Sequence, residues 1–397
     1  MKSNKLSVTT NTSARIRRND KSRYLKISLI LLLALGVSAA TAESTVSLKK
    51  KIGQMLIIGF DGKSFDDDSP IAQAIRKREI GGVILFDYNF QTKSFDKNIE
   101  SPVQVKKLIS ELQYYNALSH RPNDIPLPLL VGVDYEGGKV NRLKASNGFP
   151  ETLSAANFSQ LLPSAASQAA LSMATTLSQL GFNVDFAPVV DLNSNPENPV
   201  IGMLERSYSS DPTQVTLYAG IFSAMLQQNK VLCSYKHFPG HGSSTTDSHK
   251  GFVDVTETWQ PDELQPYANL LNQPYACSFV MTAHIVNRQL DTSGLPATLS
   301  KKILTGLLRN QLKFKGIIIT DDMQMKAISD VYGKEDAIIK TINAGADMLI
   351  FGNQLVETPE DPNTVINIIY KNVKNGKIKA GRIEEAYQRI VRTKQKL

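Results

Sequence analysis

Little in this sequence is suited to stapling, anchoring or dividing the chain. Cysteine is scarce: 397 residues hold two, Cys233 and Cys277, both inside apolar runs, so buried free thiols are expected and no disulfide framework is demanded. No apolar run reaches the ~20 residues that span a bilayer. Pro/Ser-rich linkers and low-complexity tracts are missing too, which argues for one domain at a length that α/β barrels often occupy. Nor does any basic stripe interleave with aromatics, so nothing points to a nucleic-acid partner.

The longest apolar stretch lies near the start. Residues 1–26 carry eight basic side chains against one acid, Asp20; an apolar run over 27–37 follows, and then Ala40-Thr41-Ala42. Basic region, short apolar core and A-x-A predict a secretory signal over 1–42, cleaved after Ala42, with the folded domain in 43–397. The formal charge of +8 falls to 37 basic against 36 acidic residues, a net +1, once that segment is set aside. Basicity thus belongs to the export signal. A periplasmic or secreted protein without stable membrane insertion is expected.

Apolar, β-branched runs alternate with amphipathic segments along the remainder, the pattern of a parallel sheet covered by helices. Eight strands are expected over 54–60, 82–86, 129–134, 183–190, 231–237, 278–284, 316–322 and 347–353. Helices are expected between them, for example at 103–118, 164–180, 212–228 and 301–312, with two more after the last strand. Eight repeats predict an α/β fold, a single-domain (β/α)8 barrel of the TIM type. Its site would lie where the strands' C-terminal ends meet the following loops.

Polar residues collect at those ends: Asp134 after the third strand, Lys236-His237 after the fifth, His284 after the sixth, and Thr320-Asp321-Asp322 after the seventh. Any one of these is ordinary strand termination; together they mark a rim. Asp322 is the better helix-capping candidate and Asp321 the one nearer the mouth. Three of five histidines, His237, His241 and His249, fall in the window K-H-F-P-G-H-G-x4-D-S-H over 236–249, where even scatter would put roughly 0.2. Two chemistries fit that window. It supplies nitrogen and oxygen donors that zinc accepts, as in a zinc-dependent hydrolase or deacetylase. It also places Asp247 two residues from His249, where a carboxylate fixes an imidazole for proton transfer. A carboxylate nucleophile opposed by a proton donor is the equipment of a retaining glycosidase.

The window resembles the signature of the β-N-acetylglucosaminidase branch of glycoside hydrolase family 3, the NagZ-like enzymes. Further fragments extend the resemblance: Gly82-Val-Ile-Leu-Phe86 with Asn89, Asp134-x-Glu-Gly-Gly-x-Val-x-Arg142, Asp185-Phe-Ala-Pro-Val-Val-Asp191, Arg206-Ser-Tyr, Thr282-Ala-His284, Thr320-Asp-Asp-Met323 and Ala344-Gly-Ala-Asp347. It implies that Asp321 attacks the anomeric carbon, that His249 is the general acid/base, and that Asp247 supports it. Asp134, Arg142, Arg206, Lys236 and His237 would grip a terminal N-acetylglucosamine, with His241 structuring the loop. No cofactor or metal is implied, and the expected substrate is an N-acetylglucosamine-containing oligosaccharide or muropeptide. β-Glucosidase action and phosphorolysis are the alternatives within the family.

Overall fold

The computed structural model describes residues 46–77, 80–90, 92–120, 126–354 and 356–397; the expected export segment lies outside them. Eight parallel strands close into a barrel: β1 (Leu56–Gly59), β2 (Gly82–Ile84), β3 (Leu130–Val133), β4 (Val184–Asp185), β5 (Leu232–Phe238), β6 (Phe279–Thr282), β7 (Ile317–Asp322) and β8 (Met348–Phe351). Each pairs with its sequence neighbours, and β1 closes the ring on β8 through Leu56 opposite Leu349. Buried on both faces, these strands need Val, Ile and Leu throughout, which is why they read as continuous apolar runs.

Helices start where the sequence supplies caps. Ser101 accepts from the Gln104 amide ahead of the helix Pro102–Leu118, and Asp211 accepts from Thr213 ahead of Pro212–Gln228, each with proline in the first turn. Such a cap satisfies a donor that the helix leaves open, and proline there has no donor to lose. Pro163–Leu180 ends on Gly181 at φ 95°, a left-handed conformation natural to glycine. Two helices, Pro362–Lys374 and Ala380–Lys394, follow β8 as expected. Among the described residues no helix is long and apolar enough to cross a membrane.

Three expectations need correction. Cys233 and Cys277 are not free thiols but form a disulfide. Cys233 lies on β5 and Cys277 shortly before β6, and pairing of these adjacent strands brings their Cα atoms to 4.8 Å, within bonding reach. The segment expected as an α-helix at 301–312 is a π-helix, Lys302–Gln311, closed by the Leu312 amide on the Leu307 carbonyl. The fourth strand is the short Val184–Asp185 rather than 183–190, and only an isolated bridge, Val189 to Lys236, continues its alignment. Pro188, without an N–H to donate, interrupts the ladder.

The barrel's N-terminal face is held by charge. Asp347, fully buried just before β8, receives Arg309, Arg382 and Arg389, the last at 3.0 Å. The disulfide sits at this same end.

Candidate active site

At the opposite rim, β3 ends at Val133 and delivers Asp134. A small hairpin, Tyr135–Gly137 with Val140–Asn141, then turns the chain back, and the Arg142 amide donates to the Asp134 carbonyl at 3.2 Å. The Arg142 side chain reaches Asp134 Oδ2 at 3.4 Å. From β5, Lys236 projects into the same space with 2% of its side chain exposed; its Nζ lies 3.0 Å from Asp134 Oδ1 and 2.6 Å from Glu136 Oε1. Arg206, from the segment after β4, forks onto both Glu136 oxygens at 2.7 Å and donates to His237 Nε2 at 3.3 Å. All five expected sugar-gripping residues therefore meet in one network.

Burial alone would push these carboxyls up and Lys236 down, and the neighbouring charges reverse both. Glu136 falls to about 2 through Arg206 and Lys236. Asp134 is lowered by Lys236 and Arg142, and Lys236 is raised by Asp134 and Glu136. Asp134, Glu136 and Lys236 are thus ionised at neutral pH.

Beneath it lies Asp191. Its carboxylate accepts from the His237 amide (3.1 Å), from His237 Nδ1 (2.7 Å) and from the His241 amide (2.8 Å). His241 meets Ser248 through Nε2 at 3.3 Å, and burial lowers its pKa to about 4, so it stays neutral. Gly242 donates its N–H to Glu263 Oε2 at 3.0 Å, and a Cβ at Gly242 would stand 1.7 Å from the Leu192 carbonyl oxygen. Only glycine lets the loop lie this close to the segment after β4.

Further along that loop stands the dyad. Asp247 Oδ1 accepts from the His249 amide at 2.9 Å and from His249 Nδ1 at 2.8 Å. The bond to His249, ahead of opposing burial, draws Asp247 down to about 2. Burial would lower the imidazole pKa, but the Asp247 bond and the charges of Asp321 and Asp247 raise it above its ordinary value. His249 is 48% exposed and so open to water, and the Ser248 carbonyl accepts from the Ala327 amide at 3.4 Å, which leans the loop toward the segment after β7.

Asp321, on β7, completes the arrangement. Burial opposes its ionisation, but His284, His237 and His249 hold its pKa below the usual carboxylate value. His284 is fixed by Thr298 Oγ1 (2.8 Å) and the Asp322 carbonyl (3.0 Å). Asp322 is no helix cap: its Oδ1 accepts from Gln324 and Gly352, and Met325 precedes the next helix, Lys326–Ser329. Burial raises its pKa to about 6, separating it from its neighbour Asp321.

Glu136, Asp191 and Glu263 were given no role on sequence. The first two stand inside the recognised fragments, so a signal existed for them; Glu263 follows no motif. The histidine rings do not converge on one point. His237, His241 and His249 turn to Asp191, Ser248 and Asp247, and among the described residues no group of three His, Cys, Asp or Glu could hold a metal ion.

Residues 47–393 match the family described as glycosyl hydrolase family 3 N terminal domain. Beta-hexosaminidase A of Pseudoalteromonas piscicida is 32% identical over 342 residues, 79% of this chain and 54% of that protein. Beta-hexosaminidase LpqI of Mycobacterium tuberculosis is 35% identical over 276 residues, 68% of this chain and 69% of that one. Among solved structures, a family 3 beta-N-acetylglucosaminidase from Paenibacillus superposes with a TM-score of 0.78 at 32% identity, over 89% of this chain and 63% of the other. Beta-N-acetylhexosaminidase from Beutenbergia cavernae gives 0.76 at 26% identity, over 89% of this chain and 100% of that one. The chain thus spans about half of the Pseudoalteromonas relative but the whole of the Beutenbergia barrel.

Proposed function

This chain belongs to glycosyl hydrolase family 3, and from that premise we propose that it is a retaining exo-β-N-acetylglucosaminidase acting on N-acetylglucosamine-containing oligosaccharides or wall fragments. The observation that carries the reading is one rim holding an ionised Asp321, an Asp247–His249 pair in electrostatic contact with it, and a charged grip of Asp134, Arg142, Arg206, Lys236 and His237.

In this reading Asp321 attacks the anomeric carbon as the glycosidic bond breaks. His249, whose Nδ1–H is committed to Asp247, gives the proton on Nε2 to the departing oxygen. The sugar is then held as an ester of Asp321. Neutral His249 takes a proton from water, the water attacks the same carbon, Asp321 leaves, and configuration is retained. Asp247 keeps the imidazole oriented and favours its cationic form. Cationic and carboxylate groups fixed before the substrate arrives hold the sugar's hydroxyls with little reorganisation.

Hydrolysis of nitrophenyl β-N-acetylglucosaminide beside nitrophenyl β-glucoside, with chelator present and phosphate varied, tests this. Preference for the acetamido sugar, independent of both additives, is expected. Chelator-sensitive activity, or phosphate-dependent formation of a sugar phosphate, would replace it with the zinc or phosphorolytic chemistry. Export belongs to the same proposal, since a disulfide persists in oxidising compartments; an exported protein beginning at Glu43 is expected on N-terminal sequencing, and an uncleaved cytosolic chain would contradict it.

A further inference from the structure

Past β2 the chain leaves the rim at Asp87 and doubles back on itself. The Asn89 amide donates to the Ser94 carbonyl at 2.8 Å, Thr92 Oγ1 to Asp96 Oδ1 at 2.9 Å, and the Asn98 amide to the Phe86 carbonyl at 2.9 Å, closing the loop at its base. On this scaffold Tyr88 packs edge-on against two phenyl rings, Phe90 at 5.0 Å and Phe95 at 5.1 Å. Those rings are 50% and 57% exposed. A paired aromatic surface left in water gains its hydrophobic free energy only when something covers it.

Its surroundings connect it to the sugar grip. Asp87 is buried, with Arg142 at 3.8 Å and Lys144 at 3.4 Å, and Lys144 Nζ stands 5.4 Å from the centre of the Phe95 ring. On the other side the Tyr88 carbonyl accepts from Gln354, after β8, at 3.3 Å. Going round the barrel, the grip comes from β3, β5 and the segment after β4, and Asp321 from β7. The aromatic hairpin follows β2, the strand beside β3, and so stands next to the grip.

Resting on the function proposed above, we propose that Tyr88, Phe90 and Phe95 form a subsite for the leaving sugar, so that the preferred substrate is a chain of β-linked N-acetylglucosamine units rather than a single sugar on a small group. A pyranose fits both halves of this surface: its C–H face covers phenyl rings, and its hydroxyls are within the reach of Lys144. The ring pair supplies area without ordering flexible side chains on binding.

The test compares wild type with the Phe90→Ala/Phe95→Ala double variant on two substrates. One is tetra-N-acetylchitotetraose; the other is methyl β-N-acetylglucosaminide, whose leaving group is too small to reach the hairpin. Expected is a fall of about tenfold in kcat/KM for the tetrasaccharide relative to the methyl glycoside, carried by KM, with Phe95→Trp retaining the wild-type ratio. Both rings are exposed, so the variant keeps its core. A wild-type enzyme that cleaves both substrates, with an unchanged ratio in the variant, overturns the subsite and leaves the activity standing. A wild type that cleaves neither removes the activity itself, and the subsite with it.

Discussion

Asp247 favours the protonated form of His249. Against burial, which lowers it, the 2.8 Å bond from Nδ1 and the nearby charge of Asp321 raise the imidazole pKa, and in the proposed reaction the protonated form assists bond cleavage. Activity should therefore fall as pH rises through that raised pKa. Asp247→Asn removes a charge that favours the cation, so the alkaline limb of the kcat/KM profile should move to lower pH by about one unit; an unmoved limb would assign the titration elsewhere. His249→Ala should slow substrates with poor leaving groups by ~100 to 10,000-fold and activated phenyl glycosides far less. Asp321→Ala should abolish turnover on both. Glu136 belongs with these residues although it touches no sugar in the reaction proposed. Its carboxylate is shared by Arg206 and Lys236, and Glu136→Gln would leave two cations short of a counter-charge, raising KM by roughly tenfold and lowering the melting temperature. Normal KM with lower stability would confine Glu136 to folding.

At the level of the elements, all eight strands and the long helices over 102–118, 163–180 and 212–228 were legible because apolar runs and helical periodicity report burial directly. What sequence left hidden depended on distance. Nothing in Cys233 or Cys277 announces that β5 and β6 bring them to 4.8 Å, and the segment 302–311 has no residue pattern that distinguishes π from α winding. The candidate-site residues were legible where a strand end exposed them, as at Asp321, His237 and Asp134. Asp191 was given no role, because its work is to accept from two amides and an imidazole that arrive from β5 and the loop after it. The disulfide and the Asp347 cluster lie at the end of the barrel away from the site. Reducing the disulfide should lower the melting temperature and leave kcat unchanged at 25 °C, read by assay and thermal melt with and without reductant. Asp347→Ala strands three arginines around a buried position and should cost about 3–5 kcal/mol in denaturant unfolding.

Across the whole molecule, buried carboxyls divide into two sets with opposite pH behaviour. Asp134, Glu136, Asp191, Asp247 and Asp321 are lowered by their partners; the stability they add is present above the ordinary carboxyl pKa and is lost as pH falls toward about 2, where Glu136 and Asp247 take up protons. Glu263 and Asp322 are raised, to about 7 and about 6, chiefly by burial. Their contribution is full below the ordinary carboxyl pKa and disappears as pH rises through those values. Thermal stability should accordingly decline from mildly acidic to alkaline pH, and Glu263→Gln, which cannot ionise, should flatten part of that decline. A decline of the same steepness in the variant would exclude Glu263 as its source.

One loop joins two unlike mechanical parts. At 237–243 it is clamped to Asp191 and Glu263, while His249 stands half in water a few residues later, joined through the exposed Thr245 and Thr246. In the proposed reaction the clamped part decides how firmly a sugar is held, and the outer part how often a proton arrives. Those two threonines are thus a throttle set apart from the vise: lengthening or stiffening them gives selection, or a protein engineer, a way to tune catalytic tempo at constant grip.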